Sequence, residues 1–77
     1  MKVTILLFGQ LTDIARADTV TLEDINDTDG LMARLNKSYP ELTRSKYIVA
    51  VNKKVISGNT FLTNNCTVAL LPPFSGG

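Results

Sequence analysis

The hydrophobic pattern predicts an α+β fold: a mixed sheet of four to five strands, with one main helix packed on one face. Three stretches carry that expectation. Lys2 to Phe8 is an apolar run at the start of the chain, with Val3, Ile5 and Leu7 on one side and Thr4, Leu6 and Phe8 on the other. Leu31, Met32, Leu35 and Tyr39 recur at helical spacing in the middle, with Arg34, Asn36 and Lys37 on the opposite side. Thr67 to Leu71 is a second short apolar run, of residues that suit a pleated, buried surface.

Taken in order, the first strand ends where Gly9-Gln10 breaks the run. Its two apolar sides make it a central strand. Leu6 and Phe8 read either as ordinary core or as an exposed apolar patch for a partner, the patch being favoured for Phe8 because a single helix covers only one face of a small sheet. Leu11 to Arg16 reads as a loop or short helical turn pinned by Leu11 and Ile14. Thr19-Val20-Thr21-Leu22 alternates cleanly and forms a second strand, antiparallel to the first. Asn26-Asp27-Thr28-Asp29 is a helix-start signal. Asp27 or Thr28 can accept from a free first-turn N–H, and Asp29 places negative charge at the positive end of the helix dipole. Gly30 weakens that turn slightly. The helix runs to about Tyr39, and Pro40 marks its exit.

Glu41 to Lys46 is a polar connection anchored by Leu42. Tyr47 to Val51 is the third strand, Asn52-Lys53-Lys54 a tight turn, and Val55-Ile56 a short fourth strand. The two lysines are read first as a solvated turn and only second as a docking feature. Phe61 and Leu62 are expected to tuck under the sheet, and Asn64-Asn65 to turn into the final strand. The first and last strands both read as buried, so they lie side by side. They then run parallel, with the helix crossing over one face. This order describes a β-grasp, ubiquitin-like architecture.

Seventy-seven residues make one domain, here 1–77, burying on the order of 60% of the unfolded surface. Such a chain is small for a deep active-site pocket, which favours a carrier or binding module over a stand-alone enzyme. The net charge is +1 with no basic stripe, so nucleic-acid binding is not expected. No apolar run approaches the roughly 20 residues that span a bilayer, so no membrane partner is expected either. The opening run is too short for a signal peptide and lacks a cleavage site. A single cysteine, Cys66, excludes an internal disulfide and fits a reducing cytoplasm. With no histidine and one cysteine, no zinc or other metal site is expected. Nothing in the sequence lowers the pKa of Cys66, which reads as an inert small residue.

The end of the chain is the most informative stretch. Pro72 and Pro73 stop the last strand, because neither donates a ladder hydrogen bond. Phe74, Ser75, Gly76 and Gly77 follow. Diglycine loses much freedom on ordering and contributes no packing, so folding does not ask for it. It offers a thin backbone with a terminal carboxylate that can thread a narrow cleft. A frayed terminus is the plain alternative. Residues 72–77 are therefore expected to be an extended, flexible tail.

Val68-Ala69-Leu70-Leu71-Pro72-Pro73-Phe74-Ser75-Gly76-Gly77 closely resembles the ending of the small subunit of molybdopterin synthase, among the MoaD-type sulfur carriers of the MoaD/ThiS family. Phe8-Gly9, Tyr39-Pro40-Glu41-Leu42 and Ala50-Val51-Asn52 add weaker matches along the length. Two positions depart: Asn64-Asn65-Cys66 stands where the family has an acidic Asp-Gly-rich turn, and Thr12-Asp13 replaces its usual Arg-Glu.

The resemblance implies that a ubiquitin-activating-like adenylyltransferase uses ATP to adenylate the Gly77 carboxylate. Sulfur then replaces AMP to give a thiocarboxylate. The tail (Pro72, Pro73, Phe74, Ser75, Gly76) threads into the large subunit, where sulfur passes to the cyclic pterin precursor. Two carriers flanking a dimer of large subunits, a heterotetramer, is the family expectation. Phe8, Leu6 and Phe74 are the expected partner contacts. The chain is then not catalytic alone and binds no cofactor itself. Three other readings share the sequence: a sulfur carrier for thiamin or tRNA thiolation, a ubiquitin-like modifier joined to lysines through Gly77, and an interaction domain with an idle tail. The double proline argues against the thiamin version.

Overall fold

Five strands form one sheet in the order β2-β1-β5-β3-β4 in the computed structural model, which describes residues 2–73. In chain order the elements are β1 (Lys2–Leu7), α1 (Leu11–Ala15), β2 (Thr19–Glu23), α2 (Thr28–Ser38), a 3-10 turn (Pro40–Arg44), β3 (Ile48–Val51), β4 (Lys54–Val55) and β5 (Thr67–Leu71). β1 and β5 pair in parallel at the centre, with Ile5 opposite Val68 and Leu7 opposite Leu70. The remaining pairings are antiparallel. The β-grasp arrangement of the two terminal strands is as the buried character of both predicts.

The core lies between the sheet and α2. Val3, Ile5 and Leu7 of β1 and Val68 and Leu70 of β5 meet Leu31 and Leu35 of α2, all of them buried. Leu11, Leu42 and Leu62 close its margins, while Met32 and Tyr39 pack against it half-buried. The 3-10 turn gives the expected polar connection a defined backbone around Leu42. Among the described residues, no helix is long and apolar enough to cross a membrane.

The start of α2 is tied to the loop before β5. The Asp27 side chain accepts from the Gly30 backbone N–H at 2.9 Å. The Asn59 amide donates to the other Asp27 oxygen at 3.1 Å, while its own oxygen accepts from the Asp29 N–H at 2.9 Å. The Thr28 hydroxyl accepts from the Thr60 N–H at 2.9 Å. Asp27 is thus the cap the sequence offers, with Asn59 as a second, distant contributor. These bonds, first that from Gly30 and then that from Asn59, hold the Asp27 carboxyl below the usual carboxylate range.

Two expectations are corrected. Phe61 does not tuck under the sheet; it is 82% exposed, while Leu62 is buried. The Thr28 N–H donates to the Thr60 carbonyl and the Leu62 N–H to that of Asn26, which places Phe61 in an extended bridge opposite Asp27. Neighbours in an extended segment point to opposite sides, so burying Leu62 turns Phe61 outward. The fourth strand also starts one residue early. Asn52 and Lys53, with φ of 48° and 73°, make the whole turn, and Lys54 pairs with Val51. Two successive positive φ values match the twist of a two-residue hairpin, which leaves Lys54 on the ladder.

Candidate functional site: an open apolar sheet face beside the tail root

Strand alternation fixes what faces away from α2. In β1 these residues are Thr4 and Leu6, with Phe8 just beyond; in β5 they are Thr67, Ala69 and Leu71. The register aligns Thr19, Leu6, Ala69, Ala50 and Val55 in one row across all five strands. Ala50 is only 5% exposed, yet it lies outside the core cluster on the helix side. Its methyl group is shadowed by its neighbours in that row. Small residues at the middle and larger ones around them make a shallow groove of about 630 Å³. Ala50 and Ala69 form its floor, and Leu6, Phe8, Val55 and Leu71 its walls. Phe8 is 43% exposed and Val55 68%. Lys53 brings a positive charge to the edge.

The tail leaves from one end of this groove. The Phe8 N–H donates to the Leu70 carbonyl at 3.2 Å, extending the parallel pairing past the end of β1. Pro72 is half-buried and Pro73 exposed. Of the expected site residues, Leu6, Phe8, Pro72 and Pro73 are therefore gathered at one edge of the open face, where the central strands β1 and β5 end. Phe74, Ser75, Gly76 and Gly77 lie outside the described residues.

Cys66 sits far from this edge. It precedes β5 at the opposite end, about 20 Å along the strand from Pro72 at ~3.3 Å per residue. Its side chain is 3% exposed. That position separates the thiol from the root of the tail. The pKa displacements resolved among the described residues belong to Asp27, at the start of α2, and to Tyr47, which burial pushes up and which lies just before β3, at the end of the sheet where β5 finishes. The groove offers shape and apolar area and, among its lining residues, Lys53 as its charged group.

Sequence reading singled out Leu6 and Phe8 but missed Ala50, Val55, Ala69 and Leu71. The period-2 pattern of β5 carries the signal for Ala69 and Leu71, because Val68 and Leu70 must face the helix. Ala50 and Val55 join them only through the register of three strands.

Solved structures share this architecture. Small archaeal modifier protein 1 from Methanosarcina acetivorans superimposes with a TM-score of 0.84, at 22% identity over 99% of this chain and 96% of that one. Small archaeal modifier protein 1 from Haloferax volcanii gives 0.83, at 22% identity over 100% of both chains. A chain of the complex between subunits 1 and 2 of the molybdopterin-converting factor from Helicobacter pylori gives 0.75, at 29% identity over 100% of both. Residues 5–77 match the model of the ThiS family. With its β-grasp sheet and the family pattern running through to Gly77, the chain belongs to the ThiS family.

Proposed function

We propose that this chain is the sulfur carrier subunit of a molybdopterin synthase, loaded at Gly77 and serving molybdenum cofactor assembly. The observation that carries the reading is the juxtaposition of an apolar, uncovered sheet face with the root of a Pro-Pro-Phe-Ser-Gly-Gly tail. A protein that docks on Leu6, Phe8 and Leu71 receives the tail at its own surface. From Pro72, five further residues reach at most roughly 17 Å, enough to carry Gly77 into a buried site. The complex of subunits 1 and 2 of the molybdopterin-converting factor supports a large-subunit partner of that kind.

The chemistry starts from a poor electrophile. An α-carboxyl group has a pKa of roughly 3.5 and is anionic at neutral pH. A carboxylate oxygen of Gly77 attacks the α-phosphorus of ATP on a ubiquitin-activating-like enzyme, and pyrophosphate leaves. Hydrosulfide-equivalent sulfur then attacks the acyl carbon; the C–S bond forms, the C–O bond to AMP breaks, and a proton is released. The thiocarboxylate donates its sulfur to the cyclic pterin precursor inside the large subunit. The carrier's own residues do the positioning. Gly76 and Gly77 permit close backbone approach, the prolines limit the entropy lost on docking, and Phe74 anchors at the partner's mouth. No resident cofactor or metal enters the scheme, and ATP belongs to the activating enzyme.

Intact-mass spectrometry tests the reading. Incubation with the cognate activating enzyme, ATP and a sulfur source is expected to exchange one terminal oxygen for sulfur. A mass that stays unchanged under conditions that activate a control carrier contradicts it. A second reading follows from the fold shared with small archaeal modifier protein 1: the same adenylate can be attacked by a lysine amine, making the chain a protein modifier. Recovery of the chain isopeptide-linked to other proteins favours the modifier. Copurification with a large synthase subunit, rather than a thiazole synthase, favours the molybdopterin role over thiamin or tRNA thiolation.

A further inference from the structure

The contact between Gly9 and Pro72 joins the two ends of the fold. Gly9 adopts φ +59°, a region that side chains disfavour. A Cβ there would lie 2.6 Å from Cγ of Pro72, well inside contact distance. The proline ring is stiff and cannot swing aside as a flexible side chain could. Gly9 is itself held firmly. Its carbonyl accepts from the Thr12 hydroxyl at 2.8 Å and from the Thr12 backbone N–H at 3.2 Å. The preceding carbonyl, of Phe8, accepts from the N–H of fully buried Leu11 at 3.2 Å.

We infer that Gly9 and Thr12 are positioning residues that form a seat for Pro72 and so fix the direction in which the C-terminal tail leaves the sheet. The inference deepens the sulfur-carrier reading and rests on it. Pro72 has left the β5 ladder and is half-buried, so its contact with Gly9 lies at the point where the chain departs from the sheet. With Pro72 seated, the chain emerges beside Phe8, at the edge of the face proposed to dock the partner. A root held in one direction limits the positions from which the tail must find the activating site, and small errors in placing a reacting group can cost on the order of 100-fold in rate. The Thr12 hydroxyl, bonded to the Gly9 carbonyl, braces the seat.

The test compares wild-type carrier with Gly9→Ala, Pro72→Ala, the double variant, Thr12→Ala and Thr12→Ser. Each is given to the cognate activating enzyme with ATP, and pyrophosphate release is followed as carrier concentration varies. Melting curves accompany each variant. Gly9→Ala is expected to lower kcat by on the order of 10-fold or more while KM stays within about 2-fold, because docking and positioning are separate. Pro72→Ala, which removes the seated ring, should lower kcat as well, and the double variant should lose no more than the worse single variant, since both changes remove the same contact. Thr12→Ala should lose less than Gly9→Ala, and Thr12→Ser should behave as wild type. The Thr12 pair decides the matter if Gly9→Ala does not fold. An active wild type with kcat unchanged in Gly9→Ala and Thr12→Ala overturns the seat alone. So does a rise in KM without a fall in kcat, or a folded double variant whose loss is the product of the two single losses. A wild type that is not adenylated at all overturns the sulfur-carrier reading, and the seat's role with it.

Discussion

The two faces of the central strands are built from similar residues and meet different fates. On the helix side, Val3, Ile5, Leu7, Val68 and Leu70 are sealed under α2. On the other side, Leu6, Ala69 and Leu71 line an open groove with Phe8 and Val55. Hydrophobicity alone does not separate them, and the sheet has only one main helix to cover it. The covered face supplies the folding free energy, and the open one keeps its apolar area available for association. Mutations should accordingly divide into those that unfold the chain and those that leave it folded but unable to bind.

The largest effect is expected on the covered face. Ile5→Ala should cost about 2–5 kcal/mol, out of a total stability on the order of 4–12 kcal/mol for this length. The midpoint of urea denaturation reads it directly. Ala69→Arg, at the groove floor, should cost no more than about 1 kcal/mol by the same measurement, because a long side chain can lie along the open face with its charge in water. The same change should weaken binding to a cognate large subunit on the order of 30-fold or more, as at a packed interface centre. If Ala69→Arg instead unfolds the chain as Ile5→Ala does, the two faces are not distinct in the way described.

Smaller effects probe regions outside both faces. Asp27 has a depressed carboxyl pKa in the folded state, so its stabilising contribution is present above the unfolded-state pKa. That contribution is lost as pH falls from the unfolded-state value through the lower, folded-state one. Asp27→Asn keeps a capping oxygen without the titration, so its melting temperature should fall less steeply than wild type in that acid range. Equal slopes would show that the carboxylate is not what the acid limb reports. Phe61→Ser should be the mildest change, within about 0.5 kcal/mol in thermal or urea denaturation, because its ring is solvent-exposed.

Much of the fold is written locally. β5 is bounded on one side by the Asn64-Asn65 turn, where Asn65 takes φ 65°, and on the other by Pro72. Asp27 is legible as a cap because its own side chain reaches the first turn of α2. What escaped depends on pairing between distant segments. Phe61 and Leu62 are equally apolar, and only the bridge to Asp27 decides which is buried. Lys54 reads as a turn residue until its pairing with Val51 is known. The groove needs four strands in register, which places Ala50 and Val55 beside Leu6. The Gly9–Pro72 contact requires parallel pairing of the chain's two ends before either residue gains its meaning.

The most direct test of the division between faces is calorimetric titration of a cognate large subunit with wild-type carrier and with Phe8→Asp, alongside their melting curves. The account predicts that Phe8→Asp melts within a few degrees of wild type and binds on the order of 30-fold more weakly or worse. A folded Phe8→Asp that binds with wild-type affinity contradicts it.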